Sequence, residues 1–206
     1  MMKRFGIILV TIALTSCISP TGSAPPVRQY VLEYPTPNAA GGGGIGELLK
    51  VEQFNAARLF AGPSMLYRKG PFRLDAYHEY SWRIAPAEMM ADLLRRDLRH
   101  AGIFRAVLSP RDTEEARFIL EGGVEEFLEV EEGRGRKARL VATLTLIDLS
   151  RQEVTERVVF QKTYQSEALF QAEGASGFAE AMSRAMTQLS TQVIADIDAA
   201  LKQTGR

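Results

Sequence analysis

Two stretches of the chain repeat apolar positions every three or four residues, the spacing that lays one face of an α-helix against a core. In the first, Met90, Leu93, Leu94, Asp97, Leu98 and Ala101 share a face, with Asp92, Arg95, Arg96 and Arg99 mostly opposite. Pro86 suits the first turn, Glu88 lies where the helix dipole favours an acid, and Gly102 fits a left-handed stop, returning Ile103 and Phe104 to the core. The second runs from about Ser176 to Lys202, with Phe178, Met182, Ala185, Met186, Leu189, Val193, Ile197, Ala200 and Leu201 on one side. Met182 and Met186 read as core filler. Residues 117–131 and 137–149 alternate instead with a period of two, as half-buried strands do. A three-residue loop Gly133-Arg134-Gly135 would pair Glu132 with Arg136, Glu131 with Lys137 and Glu129 with Arg139. The same register sets Val130 against Ala138, Leu128 against Leu140 and Val124 against Leu144.

Asp148 to Gln152 supplies a further turn, after which Val158, Phe160 and Tyr164 continue the even-numbered face. Upstream, Tyr30 to Tyr34 reads as a strand stopped by Pro35 and Pro37, and Asn38 to Gly46 as a Gly-rich loop. Leu48 to Phe54 fits strand and helix alike, and Ser64–Arg68 and Phe72–Tyr77 read as two short strands. Strands, helix, strands, helix predict an α+β fold: a mostly antiparallel sheet with two helices on one face, ending in a β-meander and a long helix.

Composition narrows the function. The 206 residues carry 25 Lys+Arg against 25 Asp+Glu, a balance that lacks the basic footprint of a nucleic-acid binder. One Cys and two His leave no intrachain disulfide framework and argue against a multi-thiolate or His-rich metal centre. No run of 18 apolar residues occurs, so no segment reads as an ordinary spanning helix.

The amino terminus is more informative. Met1-Met2-Lys3-Arg4 opens with two cations, and Phe5 to Leu14 follows without a charge. As a helix this stretch covers about half of a ~30 Å hydrocarbon core, so it reads as a leader rather than an anchor. Leu14-Thr15-Ser16-Cys17 then resembles the lipobox of bacterial lipoproteins, whose thiol is alkylated by diacylglycerol. Residues 1–16 are therefore expected to be a signal peptide, and 17–29 a lipidated Cys17 followed by a Pro-rich tether. Residues 30–206 are expected to form one α+β domain. Ile18 follows the cysteine where an Asp would mark inner-membrane retention, which favours the periplasmic side of the outer membrane.

Candidate chemistry is sparse. Gly41, Gly43 and Gly46 satisfy G-x-G-x-x-G, but two prolines separate them from the preceding strand, and a plain loop is the better reading. No nucleophile elbow, H-E-x-x-H, P-loop or C-x-x-C occurs. His78 reads as a surface imidazole, and His100 as a complement to its helix's carboxyl end. Adjacent Glu125 and Glu126 face opposite sides of a strand. The reading is a non-enzyme with no cofactor and no metal site. The aromatics Tyr77, Tyr80 and Trp82 either cap the sheet or form a partner-contact patch.

Taken together, the lipobox Cys17, Tyr30-Val31-Leu32, Met65-Leu66-Tyr67-Arg68, Leu74-Asp75-Ala76-Tyr77, Trp82, Pro86 and Gly102-Ile103-Phe104 resemble the ABC-type transport auxiliary lipoproteins, the PqiC-like family. The resemblance spans about residues 28–203. It implies a non-catalytic lipoprotein that accompanies an MCE-domain protein and an ABC permease and ATPase, moving lipids or hydrophobic solutes between two membranes. Self-association stays open. Two alternatives remain at this point: an assembly lipoprotein of the lipopolysaccharide-export type, and a small periplasmic hydrolase.

Overall fold

A computed structural model of the chain describes residues 26–37, 44–133 and 135–204. Its strands are β1 (Arg28–Tyr30), β2 (Ile45–Val51), β3 (Asn55–Ala56), β4 (Ser64–Gly70), β5 (Arg73–Trp82), β6 (Phe104–Leu108), β7 (Phe118–Glu132), β8 (Gly135–Asp148) and β9 (Val158–Leu169). Helix α1 (Pro86–Ala101) lies between β5 and β6, and α2 (Gly174–Thr204) follows β9.

β7 is the spine of the sheet. One edge pairs with β8 along its whole length, and β8 pairs with β9, both antiparallel as the meander predicts. The other edge of β7 is shared in succession by β2, β3 and β4, all parallel to it. β6 extends the sheet beyond β2 in parallel, β5 lies antiparallel beside β4, and β1 runs parallel to β5. The fold is thus α+β, but the sheet is mixed and curled rather than mostly antiparallel. The expectation failed because a period of two marks a strand without marking its neighbour, and each parallel partner arrives after an excursion of the chain. Two boundaries also move: Tyr30 ends β1 rather than starting a strand, and Gly46 lies inside β2 rather than in a loop. Asn38, Gly41 and Gly43 lie outside the described residues.

The β7–β8 register differs from the predicted one by a residue. Glu132 pairs with Gly135, Glu131 with Arg136 and Glu129 with Ala138, so two residues rather than three close the hairpin, and Gly133 takes φ +61°. A bulge between Val124 and Glu126 then changes the offset again, setting Phe127 against Leu140 and Val124 against Ala142. The bulge swaps the core-facing set from even to odd numbers along β7. Glu129 therefore turns inward and is buried, while Leu128 and Val130 lie on the other face opposite Arg139 and Lys137. The expected ion pairs are redistributed there: Arg139 meets Glu126 and Glu167, and Lys137 meets Glu132 and Glu167. The aliphatic stems of Arg139 and Lys137 lie beside Leu128 and Val130 in register, and both apolar residues are buried.

Both helices follow their sequence signals. α1 starts at Pro86 and stops at Gly102, whose φ of +66° lets its N–H reach the Arg99 carbonyl at 3.3 Å. Phe178, Met182, Ala185, Met186, Leu189, Val193 and Ile197 of α2 are fully buried. The facing side of β8 presents Ala138, Leu140, Ala142, Leu144 and Leu146, and the two alanines among the leucines let the helix seat closely. Each large apolar side chain sealed there contributes about 1.5–3 kcal/mol. α1 packs on β6 and β7 and touches α2. The extended segment after β1 lies on the helices, Leu32 buried and the Glu33 N–H donating to Ser183 Oγ at 3.1 Å.

Candidate functional site

β5 carries the aromatic positions singled out from the sequence, and its pairing with β4 is irregular. Leu66 pairs with Ala76 but Ser64 with Ser81, so residues 77–80 form a wide bulge against a much shorter stretch of β4. Three residues apart, Tyr77 and Tyr80 would face opposite sides of a regular strand; here their rings stand 5.8 Å apart, edge to face. Tyr80 also meets Tyr30 at 5.9 Å and Tyr77 meets Tyr67 at 4.9 Å. A run of four tyrosines, each half-buried, therefore crosses β1, β5 and β4. Trp82 is not part of that surface. It is fully buried, edge-on to Phe127 and Phe178 at 5.3 Å each, so it anchors the core and leaves Tyr77 and Tyr80 as the patch.

Beneath the patch lies a charged group that the sequence reading missed. Tyr77 donates to Glu129 Oε2 at 2.7 Å, and Arg136 Nε donates to Oε1 at 2.6 Å. Arg136 also donates to the Tyr77 hydroxyl at 3.0 Å and to Glu173, with its guanidinium 4.7 Å from the Phe170 ring centre. Burial, then the hydrogen bond to Glu129, pushes the Tyr77 phenol well above its ordinary value, so it stays a neutral donor.

Two further carboxylates are fully buried. Asp97 of α1 accepts from the Tyr34 hydroxyl at 2.7 Å, Ser190 Oγ of α2 at 2.6 Å and Arg96 Nε at 2.9 Å, tying both helices to the segment after β1. Asp148, at the end of β8, accepts two parallel bonds of 2.9 Å from Arg117, and its Oδ1 also takes the Ser150 N–H and hydroxyl. Arg117 and those Ser150 donors hold the Asp148 carboxyl far below the usual carboxylate range. Of the three acids only Asp97 carried a signal, as the one charge on an apolar helix face. Glu129 became buried through the bulge.

These carboxylates are clamped by fixed donors and act as structural staples. His78 and His100 are exposed, and Glu125 and Glu126 sit at the β7 bulge with separate partners: Thr143 for the first, Arg68 and Arg139 for the second. Among the described residues no three His, Cys, Asp or Glu side chains converge as metal ligands do. A polar groove of about 460 Å³ lies between α1 and Ser109–Arg111, lined also by Gln53, Glu88, Asp92 and Arg95.

The family model for the ABC-type transport auxiliary lipoprotein component matches residues 30–194. The chain belongs to that family. Membership in this auxiliary lipoprotein family goes with a membrane-anchored place in the cell envelope and with an auxiliary part in a membrane-associated transport complex. Among curated proteins none matches the chain. The chain shares its fold with solved structures. Protein XCC0632 from Xanthomonas campestris superposes with a TM-score of 0.72 at 23% identity, covering 88% of this chain and 96% of that one. The hypothetical protein CT253 from Chlamydia trachomatis gives 0.52 at 7% identity, over 76% and 98% of the two chains. Cys17 and residues 1–16, the expected lipidation site and the expected leader of this auxiliary lipoprotein, lie outside the described residues.

Proposed function

We propose that the protein is a lipid-anchored, non-catalytic accessory of an MCE/ABC-type system that moves lipids or hydrophobic solutes across the Gram-negative envelope. Residues 1–16 act as the leader, Cys17 carries the acyl chains, the residues from 18 up to β1 form the tether, and the folded part from β1 onward stands on the periplasmic side of the outer membrane. The observation that carries this reading is one of order along the chain. The family match begins at residue 30, a short tether after the chain's one cysteine, which itself sits at the end of a lipobox-like Leu14-Thr15-Ser16-Cys17. A diacylglyceryl thioether with an added N-acyl chain supplies more than one buried chain, which is what stable anchoring requires. Tyr77 and Tyr80 form the contact patch toward the MCE-domain partner, because tyrosine offers broad, stiff contact area at low entropic cost.

The test is expression of the full chain in a Gram-negative host, mass spectrometry of its amino terminus, and crosslinking followed by affinity purification. A palmitate-bearing, N-acylated Cys17 and an MCE-domain protein as main partner, lost on Tyr80→Ala, are expected. An unmodified thiol on a freely soluble chain overturns the anchor. A β-barrel protein as main partner overturns the MCE assignment in favour of an assembly factor.

A further inference from the structure

The loop joining β4 and β5 holds the most exposed large apolar side chain among the described residues: Phe72, at 107% relative exposure. Two residues, Pro71 and Phe72, close the hairpin between the paired Gly70 and Arg73. Proline fixes the first at negative φ, and Phe72 takes φ +64°, the sign pattern of a type II turn whose second position normally holds Gly or Asn. Phe72 is the one non-glycine residue of positive φ among those described. A bulky side chain in the left-handed region is strained, and folding brings this ring no compensating contact. Lys69 and Arg73 flank it, the first over the Tyr67 ring at 5.4 Å and the second paired with Asp75 at 2.6 Å. An apolar ring thrust out between two cations is the arrangement that seats in a bilayer interface, ring among the acyl chains and cations at the phosphates.

The strand directions say which end of the sheet this tip occupies. β1 runs parallel to β5 with Arg28 beside Tyr80, so the chain enters β1 from the side toward which Phe72 projects. From Tyr80 to Phe72 along the strand is at most about 26 Å, at ~3.3 Å per residue, since the bulge at 77–80 shortens it. The residues from Cys17 to Arg28 reach up to about 38 Å when extended, at ~3.5 Å per residue. The tether is therefore long enough to bring an acylated Cys17 level with the hairpin tip. The β7–β8 hairpin closes at the same end, since Arg68 pairs with Val130 and Glu132 with Gly135, and exposed Leu169 pairs there with Lys137.

We infer that the β4–β5 tip is a membrane contact: Phe72 enters the phospholipid leaflet that holds the acyl chains, and fixes how the domain stands on it. This rests on the anchored reading above. Acyl chains at the end of a tether restrain distance but not orientation; a second, rigid contact sets the angle at which Tyr77 and Tyr80 face a partner.

The experiment uses the lipidated full chain carrying Phe72→Trp, reconstituted into phosphatidylethanolamine–phosphatidylglycerol vesicles with spin-labelled acyl chains. Trp82, the only native tryptophan, is fully buried and supplies a constant background. The expected result is blue-shifted emission from the new indole, quenched by the spin label, with several-fold less quenching when Lys69→Glu is added. Trypsin cleavage after Lys69 and Arg73 should also slow several-fold on vesicles, and Phe72→Gly should abolish that protection while the protein stays folded. A turn residue with only a structural role predicts no loss of protection from that glycine. A chain that floats with the vesicles while the indole stays solvent-like and unquenched overturns the inference and leaves the anchor standing. A blue shift that arises only when a partner protein is added overturns it in favour of protein docking. Failure to float at all removes the anchor, and this inference with it.

Discussion

Removing the Arg117 side chain isolates the energetics of the buried acid at the end of β8. Asp148 is fully buried and receives Arg117 Nε on Oδ1 and Nη2 on Oδ2, both at 2.9 Å, while Arg117 Nη1 reaches Glu47 on β2. The clamp therefore joins the start of β7, the end of β8 and β2. In Arg117→Ala the carboxylate keeps its Ser150 donors at 3.0 and 2.7 Å and the half-exposed Arg151 guanidinium at 3.6 Å, but loses its bidentate partner. Breaking one side of a buried pair costs about 3–5 kcal/mol. The Arg117 side chain is 33% exposed, so water reaches the vacated side and the lower end, about 3 kcal/mol, is expected. With a urea slope of about 2 kcal/mol/M, the midpoint should fall by about 1.5 M. The sign of the pH dependence follows from the depressed Asp148 carboxyl. Its contribution is present above the ordinary value of 3.8 and is lost as pH falls below it, because the unfolded chain then takes up the proton that the native state refuses. The gap between wild type and Arg117→Ala should therefore narrow on acidification, and Asp148→Asn in the Arg117→Ala background should restore part of the loss. Urea titrations followed by circular dichroism at neutral pH and near pH 3 make the measurement. A gap under about 1 kcal/mol at neutral pH, or one unchanged on acidification, would refute the clamp as the source of stability.

Gly122→Ala should destabilise by about 1–3 kcal/mol and lower Tm by several degrees, because an added Cβ falls 2.7 Å from the buried Phe54 ring. Phe72→Gly should stabilise the isolated protein in urea by about 1 kcal/mol, since it removes a left-handed penalty and no contact. Burial, reinforced by Asp97, Glu129 and Asp196, raises the phenols of Tyr34, Tyr77 and Tyr164 above 10.0. Their contribution is complete below the unfolded value and is lost as pH rises past it, so stability should decline above pH 10, and absorbance at about 295 nm should show these three ionising together with unfolding.

The helices were readable because both signals of a helix are local: a face at three-four spacing, and a start and stop within one turn. Pro86 and Gly102 bound α1 as the spacing says. Strand existence was nearly as readable, but strand partnership was not. β4 finds β7, and β2 finds β6, only after long stretches of intervening chain, and no period along the sequence records that. The hairpin register failed at two places, the turn that closes with two residues rather than three and the bulge at Glu125, which together turn Glu129 inward and give Leu128 and Val130 to the other face. The same kind of irregularity made the aromatic patch half legible. Tyr77 and Tyr80 meet only because β5 carries extra residues opposite β4, while Trp82, two positions further on, returns to the core.

The shared edge of β7 has a consequence for the order in which the molecule assembles. β7, β8, β9 and α2 are consecutive in the chain and hold each other through short-range closures, the kind that form quickly. β2, β3 and β4 each grip only two or three residues of the same β7 edge and must be carried to it from far upstream. The carboxy-terminal half is thus a scaffold onto which the amino-terminal strands are laid late. Under strain those strands should peel first, loosening the part of the molecule nearest the tether while the meander and its helix persist.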